Sequence, residues 1–168
     1  VLVLALGTGA STAIFTVVNA LLLKPLRYYQ PERLVMVWES SPRSTDRNVV
    51  NPLNFFEWRE RNRVFERLAA LSQWPVNLSG GGEPEQVPAL SVSPEFFPIL
   101  GVAPALGRTF RQEEGVPGAH RVAVLSHGLW QRRFGGDRRV LGQTVIVNNE
   151  DHQVGGVMPP GFAFPNRE

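Results

Sequence analysis

The sequence predicts an α+β fold, a mixed sheet with short helices, carried behind a single N-terminal membrane helix. Three observations predict it. Residues 1–23 contain no Lys, Arg, Asp or Glu, although the 168-residue chain has 17 basic and 15 acidic side chains. Beyond Pro25, short apolar runs end in turn residues, and two of them pass through a Ser into a short apolar helix closed by Gly. Near the end, two further runs flank Asn148-Asn149-Glu150-Asp151, the pattern of a β-hairpin. The organisation that follows is a membrane helix over 1–24 and a folded domain over 25–168. With Val1 in place of Met, the chain is expected to be a fragment, incomplete at both ends.

The opening run, VLVLALGTGASTAIFTVVNALLL, would span roughly 34 Å as a helix, slightly more than a bilayer's hydrocarbon core. Lys24 and Arg27 mark its exit, and Tyr28 and Tyr29 fall where an interfacial aromatic pair belongs. Gly7 with Ser11 and Gly9 with Ala13 are small-xxx-small pairs that let a second helix approach closely in lipid. Lys24-Pro25-Leu26 is the junction between span and domain. Two other readings stay open: a secretory signal, whose apolar core would be shorter and end in a small-x-small site, and a buried helix of a soluble protein, favoured by Thr8, Ser11, Thr12, Thr16 and Asn19. Lys24, Arg27 and Arg33 would place the exit in the cytoplasm by the positive-inside tendency, but charge on one flank does not settle topology.

Along the domain, Leu34–Trp38 reads as a buried strand and residues 40–51 as a polar loop. Asn51-Pro52 starts a helix, Asn as N-cap and Pro at the first position, running to about Asn62. It should bury some of Leu53, Phe55, Phe56 and Trp58, with Glu57 and Arg61 on the wet side. A second short helix is expected around Phe65 and Leu68. Val87–Val92 leads into Ser93 as N-cap, a helix through Phe96 and Phe97 kept short by Pro98, and Gly101. Val122–Leu125 leads into Ser126 as N-cap, then Leu129, Trp130 and Phe134, closing at Gly135. Thr144–Val147 and His152–Met158 form the hairpin, with Gly155-Gly156 marking a bulge or a close backbone approach.

Chemistry is hard to find. The chain has no cysteine, which removes disulfides, thiolate metal sites and a cysteine nucleophile. A net charge of +2 argues against nucleic acid, whose binders gather basic charge on one face. His120, His127 and His152 lack metal-ligand spacing. Ser126-His127 has no nucleophile elbow around it. Ser79–Glu83 lacks the Lys-Ser/Thr of a phosphate loop and reads as a turn between strands. Glu83, Glu85, Glu113 and Glu114 read as solvated loop charges, and Arg59, Arg61, Arg63 and Arg67 as a wet helix face. No catalytic, cofactor-binding or metal residue is assigned, and nothing requires an enzyme.

Several phrases, in this order, resemble MacB/FtsX-like ABC transporter permeases. They are Ala5–Phe15 with Val18-Asn19-Ala20 and Pro25-Leu26; Pro31-Glu32-Arg33-Leu34-Val35; Asn51–Phe55 with Trp58; Ser93–Phe97; Leu100-Gly101-Val102; and Pro104–Phe110. Val124–Trp130, Arg133–Gly136, and Gly156–Phe162 with Phe164-Pro165 complete the series. The resemblance implies a first membrane helix followed by a MacB-like periplasmic core domain, with the cytosol upstream of Val1 and the domain outside the bacterial inner membrane. It implies ATP consumed by a separate or fused ATPase subunit, a second permease copy in a dimer, a possible periplasmic partner protein, and no cofactor in this chain. Span motion passed through Lys24-Pro25-Leu26 would serve export, lipoprotein release or a partner protein. The alternative is a membrane-anchored or secreted binding module with no ATPase. Glu57, where Asp is commoner, and Asn148-Asn149, where a Gly-containing turn is commoner, depart from the family pattern.

Overall fold

A computed structural model describes residues 28–41, 44–80, 82–116, 119 and 121–164. The expected membrane helix over 1–24, its pairs Gly7/Ser11 and Gly9/Ala13, and the junction Lys24-Pro25-Leu26 lie outside the described residues. Among those described, no helix is long and apolar enough to cross a membrane. The chain divides into two units, 1–34 and 35–168. In the first, a 3-10 helix over Pro31–Arg33 follows Gln30, whose left-handed backbone is held by an Arg33 Nη1 bond to Gln30 Oε1 at 2.8 Å.

The second unit begins differently from expectation. Leu34–Trp38 is not a strand; pairing starts at the polar residues that follow, with β1 (Glu39–Ser41) antiparallel to β2 (Ser44–Asn48). A buried strand needs neighbours for its backbone and a cover for its side chains. Among the described residues no strand pairs with 34–38, and Val35, Met36, Val37 and Trp38 are exposed. Helix α1 (Pro52–Arg61) starts as expected, Asn51 Oδ1 accepting from Leu53 N at 2.9 Å. The second short helix is absent. Asn62 instead takes over the backbone: its Oδ1 accepts from Val64 N at 3.0 Å and Phe65 N at 2.8 Å, an Asx-type turn that competes with helix.

Beyond Ala70 the α+β layer takes shape. β3 (Leu71–Ser79) and β4 (Glu85–Val92) form a long antiparallel hairpin, closed by the glycine turn expected at 79–83. Helix α2 (Phe96–Leu100) is five residues long, as Pro98 requires, and ends at left-handed Gly101. Ser93 is not its cap; Ser93 Oγ accepts from Ala70 N at 3.0 Å and closes the open end of the hairpin instead. β5 (Leu106–Gly107) precedes a 3-10 helix at Gln112–Gly115 and β6 (Val122–Leu125). Helix α3 (His127–Phe134) has the expected caps, with Ser126 Oγ accepting from Leu129 N and Gly135 left-handed. β7 (Thr144–Val147) and β8 (Glu150–Val157) complete the sheet through a two-residue turn.

That turn explains one departure from the family pattern. Asn148 and Asn149 both have positive φ, as a two-residue hairpin turn demands. Asn148 also exchanges bonds with β3, accepting from Asn77 N through Oδ1 and donating its own N–H to Asn77 O, each at 2.9 Å. Glycine could supply the φ but not the side-chain bond.

The sheet runs β4-β3-β7-β8, and β8 also pairs antiparallel with β5 and parallel with β6. Its core consists of Val76, Leu78, Val87, Leu125, Val140, Val145, Val154 and Val157, with Leu129, Trp130 and Phe134 of α3 against it. The mixed α+β prediction and both sheet-to-helix transitions are thus recovered. The close approach expected at Gly155-Gly156 is real. The β6–β8 register slips between Ala123 and Val124 opposite this pair, and a Cβ on Gly156 would overlap the Arg108 carbonyl oxygen of the crossing chain.

A Gly156→Ala chain should therefore lose about 3 kcal/mol of stability, since backbone on both sides must move. Gly128→Ala in α3, where an added Cβ meets nothing within 4 Å, should gain about 0.5 kcal/mol. Urea unfolding followed by tryptophan fluorescence compares the two, and equal midpoints would reject the close-crossing account.

Candidate interaction surface

Among the described residues no cluster of three or more His, Asp or Glu could hold a metal ion. Ser126 Oγ serves as helix cap, and the His127 ring meets Trp130 edge-on at 5.5 Å; neither contact joins the two into a nucleophile and base. His120 lies outside the described residues. The membrane-packing and junction residues picked from the sequence are likewise not placed. What the structure brings forward instead is a surface, and the supports that hold the rest of the domain firm around it.

The surface begins with segment 35–65. Val35, Met36, Val37, Trp38, Val49, Leu53, Phe56, Val64 and Phe65 all stand exposed, more than elsewhere among the described residues. Helix α1 buries no residue fully. Of the four residues of which the helix was expected to bury some, Phe55 and Trp58 are half-covered, while Leu53 is 73% and Phe56 48% exposed. Phe55 and Phe56 meet edge-on at 5.8 Å, and Arg59 lies over the Phe56 ring at 5.5 Å. Glu39 ties the hairpin to the helix start, accepting from Asn51 N at 3.2 Å and from Asn54 Nδ2. The segment is thus stitched by polar bonds while its apolar side chains face outward.

Two supports leave no local mark in the sequence, one joining distant elements of the chain and the other reaching around a bend. Arg133, on α3, has a side chain only 5% exposed. Its Nη2 donates to Gly80 O at 2.9 Å, and its Nη1 to Glu83 O at 2.7 Å and Glu85 Oε1 at 2.9 Å. It fills the glycine turn of the β3–β4 hairpin with donors, which five fixed N–H groups suit and a lysine would not. Donation by Arg132, and then by Arg133, holds the Glu85 carboxyl below its usual range. The second support is Arg108, bidentate to Glu114 at 2.8 and 2.6 Å. Glu114 is 8% exposed and also accepts from Arg111 N at 2.8 Å. Glu85 and Glu114 are therefore bound, not the solvated loop charges expected of them. An Arg five residues after Gly128 or six before Glu114 carries no local signature; only the fold selects it.

A third support is aromatic. Phe96 meets Phe97 at 5.2 Å and Phe164 at 4.9 Å, both edge-on, and Phe97 lies 5.8 Å from Phe110 and 5.9 Å from Phe162. The Phe-Phe of α2 thus receives the Gly161–Phe164 stretch, and rings at these separations add to the area they bury.

The sequence matches the MacB-like periplasmic core domain over residues 1–167. Among solved structures, the periplasmic region of MacB from Actinobacillus actinomycetemcomitans superposes with a TM-score of 0.56 at 19% identity, over 63% of this chain and 49% of that one. The extracellular domain of the noncanonic ABC-type transporter YknZ from Gram-positive bacteria gives 0.56 at 17%, over 66% and 60%. This chain spans about half the length of the first and three-fifths of the second. At these identities the likeness is one of fold. No curated protein matches the sequence.

Arg133→Ala should destabilise the domain by about 2 kcal/mol, because the part-buried Gly80 carbonyl and the Glu85 carboxylate lose their donor. Arg133→Lys should recover little of it, and Arg132→Ala, at a more exposed side chain, should change stability far less; equal losses at 132 and 133 would refute the latch. For Glu114, the bonds from Arg108, reinforced by Arg111 N–H, hold the folded carboxyl low against the opposing effect of burial. Its contribution is complete above the usual carboxylate range near about 4.3 and is lost as pH falls through the lower folded value. Glu114→Gln should be less stable than the parent at neutral pH and converge with it in acid. A difference that stays constant down to about pH 2 would exclude this linkage.

Proposed function

This chain belongs to the family of MacB-like periplasmic core domains, and from that premise we propose that it is the extracytoplasmic part of an ABC transporter permease, tethered to the inner membrane by residues 1–24. The single observation that carries the reading is the extent of the family match, which takes in the uncharged opening together with the folded domain. Lys24-Pro25-Leu26 joins the two, and Gly7, Gly9, Ser11 and Ala13 form the face on which another membrane helix packs. A second permease copy and a separate or fused ATPase complete the machine, and ATP is spent there, outside this chain. The domain transmits span motion to cargo or to a periplasmic partner protein. The buried Arg133 bonds, the Arg108–Glu114 pair and the phenylalanine cluster support that role, since a body that passes on motion must not absorb it.

A reporter series on the full-length protein tests this. Alkaline phosphatase fused after Tyr29 should be active and a green fluorescent protein at the same site dark. The reverse pattern places the domain on the ribosome side and overturns the reading. So does recovery of the opening in the soluble fraction without detergent.

A further inference from the structure

A proline has no N–H to give to a ladder, so within a sheet it is confined to places where no neighbouring strand asks for one. The β3–β4 hairpin carries two prolines, and they stand directly opposite one another, Pro75 across from Pro88. Both are exposed. Along an antiparallel ladder, pairs that exchange N–H···O bonds alternate with pairs whose N–H and C=O point away from each other. Two contacts fix the alternation here. At the open end Ser93 N donates to Ala70 O at 2.9 Å, so the 70/93 pair bonds inward and the 75/88 pair points outward. On the far side of β3, Asn77 N donates to Asn148 Oδ1 and Asn77 O accepts from Asn148 N, so the backbone at 77, and again at 75, faces the β7 side. Pro75 therefore lies on the β7-side edge of the hairpin and Pro88 on its outer edge.

Both edges are open at that level. β7 pairs with β3 only at Leu78 and Ser79, which leaves Leu71–Val76 paired with β4 alone among the described residues. β4 is the last strand of the sheet on its side. A strand with an unpaired row of N–H and C=O groups is a template for another strand. On β4 the outward row is Gln86, Pro88, Leu90 and Val92; on β3 it is Leu71, Gln73 and Pro75. Each row is interrupted by a missing donor. Neither proline breaks an existing bond, since the 75/88 pair exchanges none. Pro75 is tolerated in a strand that is not the last of its sheet because β7 stops short, at the Asn148-Asn149 turn. We propose that Pro75 and Pro88 are a matched pair of stops that keep a second copy of this chain from adding its own hairpin to either edge. A second copy is the partner to be refused, because two identical edges can pair antiparallel about a two-fold axis with no change of sequence.

The test uses the full-length protein in detergent. Threonine replaces both prolines (Pro75→Thr with Pro88→Thr), which restores the two outward N–H groups with a residue that suits strands. Gln86→Thr, at an outward position of β4 that already has its N–H, is the control for threonine itself. Mass is read by light scattering on a sizing column, and hydrogen exchange by mass spectrometry resolved to single amides. The double variant should reach at least about twice the parent's mass as concentration rises. Its outward amides at Gln73, Gln86, Leu90 and Val92 should exchange about tenfold more slowly, as newly paired groups do. The parent and Gln86→Thr should keep their mass and exchange quickly there. A double variant with the parent's mass and exchange overturns the proposal, as does association that leaves those amides unprotected. Slow exchange at them in the parent would show edges already paired and overturns it too. Exchange over 144–157 must stay as slow as in the parent; association with that part of the sheet opened is aggregation of unfolded chain and counts against the stops. None of these readouts depends on transport or on which side of the membrane the domain faces.

Discussion

The domain turns on β8. A strand in the middle of a sheet ordinarily has one neighbour per edge, but β8 receives β7 and then β5 along its length and runs parallel to β6. Three chains can converge there only where the backbone comes unusually close, at Gly155-Gly156 against Leu106–Arg108. Val154 and Val157, flanking the glycines, are among the most completely buried side chains described. Close approach and dense packing are thus the same event. A side chain at Gly156 would push the β5 segment away from β8, whereas one at Gly155 would press on Val122 of β6.

Around that hub the polar bonds do a different job. Valines fix the sheet but not the turn at 79–83, which has three glycines and little intrinsic preference for one path. Arg133 supplies the preference by offering donors to Gly80, Glu83 and Glu85 at once. A buried arginine is costly unless each N–H finds an acceptor and the charge a carboxylate; here Glu85 supplies the charge and the glycine turn the acceptors. Helix α3 and the hairpin tip are thereby joined by a contact that a hydrophobic pair could not orient.

The sequence read well where a local rule governs. Asn51-Pro52, Ser126, Gly101 and Gly135 are caps whose geometry depends on a few adjacent residues, and all four were legible. So was the β7–β8 hairpin, though its turn is the two residues Asn148-Asn149 and not four. It read poorly where distant residues compete. Ser93 looks like a cap but bonds Ala70, and Asn62 diverts the chain from a helix that Phe65 and Leu68 suggest. Leu34–Trp38 has the composition of a buried strand, but composition cannot tell which partner will cover it. Glu85 and Glu114 looked solvated because their arginines lie on other elements or around a bend. The expected membrane helix and its junction fall outside the described residues, so the sequence remains their sole support.

The contrast between the two parts of the domain bears on how it would work. From Leu71 to Phe164 the chain is held by a continuous sheet, a buried arginine and a knot of rings. From Val35 to Phe65 it is held by a two-stranded hairpin, a Glu39 bridge and an apolar face without a cover of its own. In sequence the second part lies between the proposed lipid-borne opening and the sheet. Motion leaving the membrane would therefore reach the less supported segment first, and what covers that segment would decide whether the motion is lost there or passed on. A permanent cover would make the segment part of the stiff body. A removable one would make it a clutch. The physical difference is the lifetime of one apolar contact, and Val64, exposed as it stands, is the residue best placed to report it.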